Sequence, residues 1–76
     1  MQLGTRWPAG GDPPAALPPA FGAAVREVEA GIPAAALGDL RWTLTWRERR
    51  PWLELDDGTS ITPAADGSPR VRPPED

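Results

Sequence analysis

The 76-residue sequence contains no cysteine, histidine, lysine, tyrosine or asparagine. Without cysteine the chain can form neither disulfides nor thiolate metal sites, and without histidine a zinc site would need carboxylates alone. The usual activators of a serine or threonine nucleophile are also missing, and acid–base chemistry would rest on carboxylates alone. We therefore predict that the chain is not an enzyme and that it holds no metal and no cofactor.

Long apolar runs are absent as well. No segment approaches the roughly 20 apolar residues that a membrane-spanning helix needs, and no charged region followed by an apolar run marks a signal peptide. We expect a cytoplasmic protein without a membrane partner. The missing lysine, asparagine and tyrosine have AT-rich codons, whereas alanine, proline, glycine and arginine are abundant, so the composition indicates a high-GC bacterial genome.

Proline and glycine supply 11 and 8 of the 76 residues and are concentrated near the two ends. Large apolar residues are concentrated in the middle, and a chain of this length can form one small domain at most. The sequence therefore predicts an extended, flexible segment over 1–16, a single α+β domain over 17–62 and a disordered tail over 63–76.

Residues 17–33 have the pattern of one amphipathic helix. Two prolines suit its first turn, and the sequence Gly31-Ile32-Pro33 predicts a stop with Gly31 in the left-handed conformation. We expect Gly22, inside the helix, to mark close approach to another element. The apolar stripe consists of Leu17, Phe21, Ala24, Val25, Val28 and Ile32.

Strict alternation of apolar and polar residues follows over eight residues in LRWTLTWR, residues 40–47. This period of two predicts a strand with Trp42 and Trp46 on its buried side, because a small domain needs the area that indoles bury. A second strand, residues 51–55, would place Trp52 on the polar face, where Arg47 can make a cation–π contact.

The register of these two strands follows from burial if residues 48–51 form the loop, where Pro51 would remove no ladder hydrogen bond. All leucines then share one face. The expected pairs are Arg47 with Trp52, Trp46 with Leu53, and Leu44 with Leu55.

A turn at DDGT, residues 56–59, leads into a third strand over 59–62. A two-residue turn would place Ile61 on the polar face, whereas a three-residue loop with Gly58 in a left-handed bulge places it opposite Leu53. We favour the second, because it buries Ile61. A further turn at Asp66-Gly67 could bring Val71 back to the sheet.

The predicted fold is thus α+β, with one helix packed on a three-stranded antiparallel meander in the order α-β-β-β. The tails rich in proline and glycine would be flexible. The segment MQLGTRW offers an additional N-terminal edge strand, with Leu3 and Trp7 at the sheet edge.

The candidate binding residues surround the first hairpin. Trp and Arg are enriched among the anchors of protein–protein interfaces, and a proline stiffens this loop. The alternative is an ordinary solvated hairpin. We predict a non-enzymatic module that binds a protein partner, with Glu54 as a charge partner of the arginines. The predicted site is Arg47, Arg49, Arg50, Trp52 and Glu54.

Two other kinds of partner could bind the predicted sheet. Arginines interleaved with an aromatic residue on a sheet can also grip single-stranded nucleic acid. The chain is acidic overall, with a net charge of −3, and this face would be nearly balanced, so nucleic acid is the less favoured partner. Exposed sheet edges could also support a homodimer.

Overall fold

The computed structural model describes residues 4–74 and shows a five-stranded antiparallel sheet with two helices. The strands follow the sheet in chain order, β1-β2-β3-β4-β5, and both helices lie in the connection between β1 and β2. The prediction of an α+β fold is confirmed. The elements are β1 (Thr5–Pro8), α1 (Pro19–Ala30), α2 (Ala34–Leu37), β2 (Arg41–Arg47), β3 (Arg50–Leu55), β4 (Ser60–Pro63) and β5 (Pro69–Arg72).

The prediction of three strands and one helix is wrong in number. The additional strands are β1, which is the N-terminal edge strand offered as an addition, and β5, where Val71 pairs with Ile61 after the turn at Asp66-Gly67. Each has four residues, which is too short for alternation to stand out in a sequence. Leu3 lies outside the described residues, and the division at 17 and 62 stays a prediction.

Helix α1 forms where the sequence predicts it. Pro18 precedes the helix and Pro19 occupies its first turn, where a missing N–H costs nothing. Gly31 ends the helix in the right-handed region, with φ −88° and ψ 0°. The left-handed cap expected for Gly31 is therefore wrong, because a tight turn from its N–H to the carbonyl of Val28 closes the helix instead.

The apolar stripe of α1 packs on one face of the sheet and forms the core. Neither helix has the length or apolar character needed to cross a membrane, within the part of the chain that the structure describes. The sequence predicts that both Trp42 and Trp46 are buried. Trp42 is fully buried, whereas Trp46 is partly buried at the margin of the core. The core residues are Trp7, Ala9, Leu17, Phe21, Ala24, Val25, Trp42, Leu44, Leu53, Leu55 and Ile61.

A carboxylate on α1 ties the helix to the sheet. Glu29 Oε2 accepts hydrogen bonds from Trp42 Nε1 and from the backbone N–H of Gly10, both at 2.9 Å. Trp42 also stacks on Trp7, with ring centroids 6.3 Å apart and planes inclined by 20°. Two indoles and one carboxylate thus join β1, β2 and α1.

Gly22 lies in α1 without any near neighbour. A Cβ atom built at this position would meet nothing within 4 Å, so the expected close approach to another element is wrong. Because glycine costs about 1 kcal/mol relative to alanine inside a helix, Gly22→Ala should raise the free energy of unfolding by roughly 0.5–1 kcal/mol. Urea unfolding followed by circular dichroism measures this, and a loss of stability would contradict the open space around Gly22.

The β2–β3 hairpin has a two-residue turn, Glu48-Arg49, in place of the expected four-residue loop. The register is therefore shifted by two residues, and the predicted register is wrong. A shift of two keeps every side chain on its predicted face, so burial alone could not separate the alternatives. The observed pairs are Arg47 with Arg50, Trp46 with Pro51, Thr45 with Trp52, Leu44 with Leu53, Thr43 with Glu54, and Trp42 with Leu55.

Pro51 belongs to β3 rather than to the loop. Arg47 and Arg50 close a two-residue turn, so the next pair, Trp46 and Pro51, is of the type whose N–H groups point away from the partner strand. The missing N–H of Pro51 therefore removes no β2–β3 hydrogen bond. The expectation about hydrogen bonding holds, although the position of Pro51 does not.

The β3–β4 turn agrees with the favoured alternative. Gly58 has φ +101°, and Ile61 pairs with Leu53 on the covered side of the sheet. The backbone N–H of Thr59 donates to Asp57 Oδ1 at 2.8 Å, which fixes the loop. In the β4–β5 turn, hydrogen bonds from Ser68 lower the pKa of Asp66 below its ordinary value.

Candidate binding surface

The sheet has one face under the helices, which we call the covered face, and one face without a helix, which we call the open face. Side chains alternate between them along every strand. The covered face carries Trp7, Trp42, Leu44, Trp46, Pro51, Leu53, Leu55, Ile61 and Val71. The open face carries Arg6, Arg41, Thr43, Thr45, Arg47, Arg50, Trp52, Glu54, Asp56, Ser60, Thr62, Arg70 and Arg72.

Four of the five predicted site residues share the open face. Arg50, Trp52 and Glu54 follow one another on β3, and Arg47 lies diagonally across on β2. The Arg47 guanidinium carbon lies 5.0 Å from the centroid of the Trp52 ring, so the expected cation–π contact is present. The fifth residue, Arg49, lies in the hairpin turn and is exposed.

Trp52 borders a shallow cleft of about 290 Å³ in the middle of the open face. The cleft-lining side chains on β2 and β4 include threonine and serine, which are shorter than the arginine and indole groups beside them. The indole is half-buried, and none of the described residues accepts a hydrogen bond from its N–H. The cleft is lined by Thr43, Thr45, Arg47, Trp52, Leu53, Glu54, Ser60 and Thr62.

The charge of the open face differs from the sequence expectation. Among residues 4–74, six of the eight arginines lie on it together with two carboxylates, Glu54 and Asp56, so its side chains carry six positive and two negative charges. The only ion pair among residues 4–74 joins Arg6 to Asp56 at 3.1 Å. Both partners are exposed, so the pair itself adds little stability. The expectation of a nearly balanced face is therefore wrong.

The predicted site leaves out Arg6, Arg70 and Arg72, because the sequence assigns them to flexible ends. The strands β1 and β5 place them at the two edges of the open face, with Arg6 level with Thr43 and Arg72 level with Ser60. The sequence carries a signal there, although four residues are too few for it to stand out. Each of these arginines adjoins Trp7 or Val71, an apolar residue on the covered face, which is the same alternation that marks β2.

The hairpin turn beside the site has an unfavourable backbone. Glu48 and Arg49 have φ angles of 51° and 66°, which is the left-handed region that residues other than glycine and asparagine seldom occupy. Two consecutive positive φ angles are typical of the type I′ turn, which Asn-Gly forms most readily. The sequence thus places a charged pair where a stability-optimised hairpin would have Asn-Gly.

Replacing both residues of this turn, Glu48→Asn with Arg49→Gly, should raise the free energy of unfolding by about 1–2 kcal/mol. The gain arises because the left-handed backbone remains and its strain is relieved. Thermal unfolding measures it. Glu48→Ala is the control, since it keeps the strain and should give no gain, and an unchanged stability of the double variant would contradict the left-handed turn.

Comparison of the chain with protein-family models, with curated proteins and with solved structures gives no match.

Proposed function

We propose that the chain is a non-enzymatic interaction module of the cytoplasm that binds an anionic macromolecule through the open face. The observation that carries the proposal is the gathering of six arginines around Trp52 on a sheet face that no helix covers. An excess of like charge on one face attracts a partner of opposite charge and orients its approach. The left-handed turn at Glu48-Arg49 supports the same proposal, because backbone strain occurs most often at functional sites.

A protein with an acidic surface is the first class of partner. Tryptophan and arginine are the commonest energetic anchors of protein–protein interfaces, and Trp52 lies near the centre of the arginines, as such anchors do. In this role Arg47, Arg49 and Arg50 would pair with carboxylates of the partner, and Glu54 would orient one of these arginines.

Single-stranded nucleic acid is the second class, and the charge balance of the open face favours it. Phosphate neutralisation dominates the affinity of such complexes, so a surplus of arginine on one face matters more than the net charge of the chain. Trp52 offers a stacking surface for a base in the middle of these cations.

A homodimer through a sheet edge is disfavoured by the edge strands. Both have only four residues, β1 ends at Pro8, and β5 begins at Pro69 and is followed by Pro73 and Pro74. Short edges that contain proline resist pairing with a second chain. The open face, rather than an edge, is the surface to test.

The test compares one charge reversal on the open face with an identical one on the helix. Arg50→Glu changes the open face. Arg26→Glu makes the same change in net charge at an exposed position of α1. Binding of labelled poly-L-glutamate and of labelled oligothymidylate is measured by fluorescence anisotropy. We expect Arg50→Glu to lower the affinity for the probe that binds by at least about tenfold, or about 1.4 kcal/mol. Arg26→Glu should have little effect on it.

Two outcomes would overturn the proposal. One is that neither polyanion binds the wild-type chain. The other is that both charge reversals weaken binding equally, because binding would then follow net charge rather than the open face.

A further inference from the structure

We infer that the anionic partner is single-stranded nucleic acid, with one base stacked at Trp52 and the phosphates held by the surrounding arginines. This inference rests on the proposed function and names the partner of the same surface. It follows from three properties of the open face among residues 4–74: the distribution of cations, the chemistry of its centre, and the polar character of the side chains around Trp52.

The cations form a rim around the open face. Arg47 and Arg50 stand together at the hairpin end, Arg6 lies on the β1 edge, and Arg70 and Arg72 lie on the β5 edge. Neighbouring strands are about 4.8 Å apart, so the two edges are separated by roughly 19 Å. A flexible chain of phosphates can cross this distance and meet cations on both sides, whereas a single small anion would reach one group of arginines.

The centre of the face has the chemistry that an unpaired base requires. The Arg47 guanidinium carbon lies over the Trp52 ring, 5.0 Å from its centroid, so a base can stack on the outer surface of the guanidinium or take its place on the indole. Thr45 pairs with Trp52 on β2, and Thr62 on β4 lines the same cleft as Trp52. Their hydroxyls can donate to or accept from a base or a sugar, and the Glu54 carboxylate can accept from an exocyclic amino group.

The same centre suits a protein interface poorly. The cores of protein interfaces are apolar and contain few charged residues. Of the described side chains on the open face, Trp52 is the only large apolar one, and threonine, serine, arginine and carboxylate groups surround it. Duplex DNA fits less well than a single strand, because its bases are stacked inside the helix and cannot reach Trp52 without being flipped out.

The experiment measures binding of the whole chain to an oligothymidylate of about 12 nucleotides, within the roughly 4–16 nucleotides that one OB fold covers. Four probes are compared by fluorescence anisotropy: this oligonucleotide, the same strand with abasic sites, a duplex of equal length and poly-L-glutamate. The abasic strand keeps every phosphate and removes bases, so it separates stacking from charge.

Trp52→Ala should weaken binding to the intact oligonucleotide roughly 5- to 150-fold, the range that loss of one stacked base gives. It should leave binding to the abasic strand unchanged, because the stacking partner is already absent there. Trp52→Phe keeps an aromatic ring and should restore most of the affinity. If Trp52→Ala fails to fold, Trp52→Phe against the two strands provides the same comparison with a smaller difference.

Salt dependence gives an independent measure of the rim. Each phosphate that is neutralised on a single strand contributes about −0.7 to the slope of log K against log salt concentration. Arg70→Gln, at the β5 edge, should therefore make the slope shallower by roughly 0.7, whereas Arg26→Gln on α1 should not change it.

The outcomes separate this inference from the proposed function. Tight binding of poly-L-glutamate with weak binding of the oligonucleotide would overturn the inference and leave an acidic protein as the partner. Equal weakening of intact and abasic strands by Trp52→Ala would also overturn it, since the indole would then not act by stacking. Failure of all four probes would overturn both proposals.

Discussion

Trp7→Ala should lower the free energy of unfolding by about 3–5 kcal/mol, the usual cost of removing a buried tryptophan. Trp7 is only 6% exposed and stacks on Trp42, so its removal leaves a cavity beside the most deeply buried indole. A single core of this size supplies only about 3–5 kcal/mol of net stability, and we therefore expect the variant to be largely unfolded at room temperature. Circular dichroism with a urea titration measures the loss.

Two further variants make this prediction decisive. Trp7→Phe keeps an aromatic ring in the same place and should remain folded with a smaller loss. Thr5→Ala changes an exposed residue of the same strand and should alter stability by less than about 0.5 kcal/mol. A loss below about 1 kcal/mol for Trp7→Ala would mean that residues 1–16 form a flexible segment, as the composition alone predicts.

Glu29→Ala should cost about 2–4 kcal/mol. The carboxylate accepts two hydrogen bonds, and one donor, Trp42 Nε1, belongs to a fully buried side chain. Removing the acceptor leaves that N–H without a partner in the core, which costs more than the bond contributes when formed. The contact between α1 and the Gly10 backbone is lost with it. Urea unfolding again gives the magnitude.

Glu29→Gln and Glu27→Ala are the matched controls. Glutamine keeps an oxygen that can accept both hydrogen bonds, so about half or more of the stability should be retained. Glu27 is exposed on the same helix, and its side chain makes no hydrogen bond among the described residues, so its replacement should have little effect. Equal losses for Glu27→Ala and Glu29→Ala would show that helix propensity, rather than the bridge to Trp42, sets the cost.

The elements that the sequence predicts well are those with a local signal. Helix α1 has proline at its start and an apolar stripe, and β2 has seven alternating residues. The pairing of Leu53 with Ile61 follows from one glycine, because Gly58 can take the left-handed backbone that a three-residue loop requires.

The β2–β3 register could not be predicted in the same way. Registers that differ by two residues bury the same faces, so only the turn could decide between them. The actual turn, Glu48-Arg49, has none of the residues that favour its conformation. The sequence therefore predicts a longer loop. In the predicted register Trp52 pairs with Arg47, whereas in the structure it pairs with Thr45.

The sequence identifies only part of the candidate surface, because part of it depends on strand pairing. Trp52 and the hairpin arginines are close in sequence, so the cluster was visible without a fold. Arg6 and Arg72 join it through strand pairings between residues far apart along the chain, and each strand is short. Their contribution depends on topology, which composition does not report.

The segregation of arginine to one side of the sheet gives the molecule an electric dipole. Among residues 4–74, two acidic residues share that side, and the other acidic residues occupy helices, loops and turns. A highly charged surface near the chain would therefore exert a torque on it before contact, and the arginine side would turn toward a negative surface although the chain as a whole is an anion. For such a molecule the sign of the local potential, rather than that of the total charge, determines which surfaces it meets face-on.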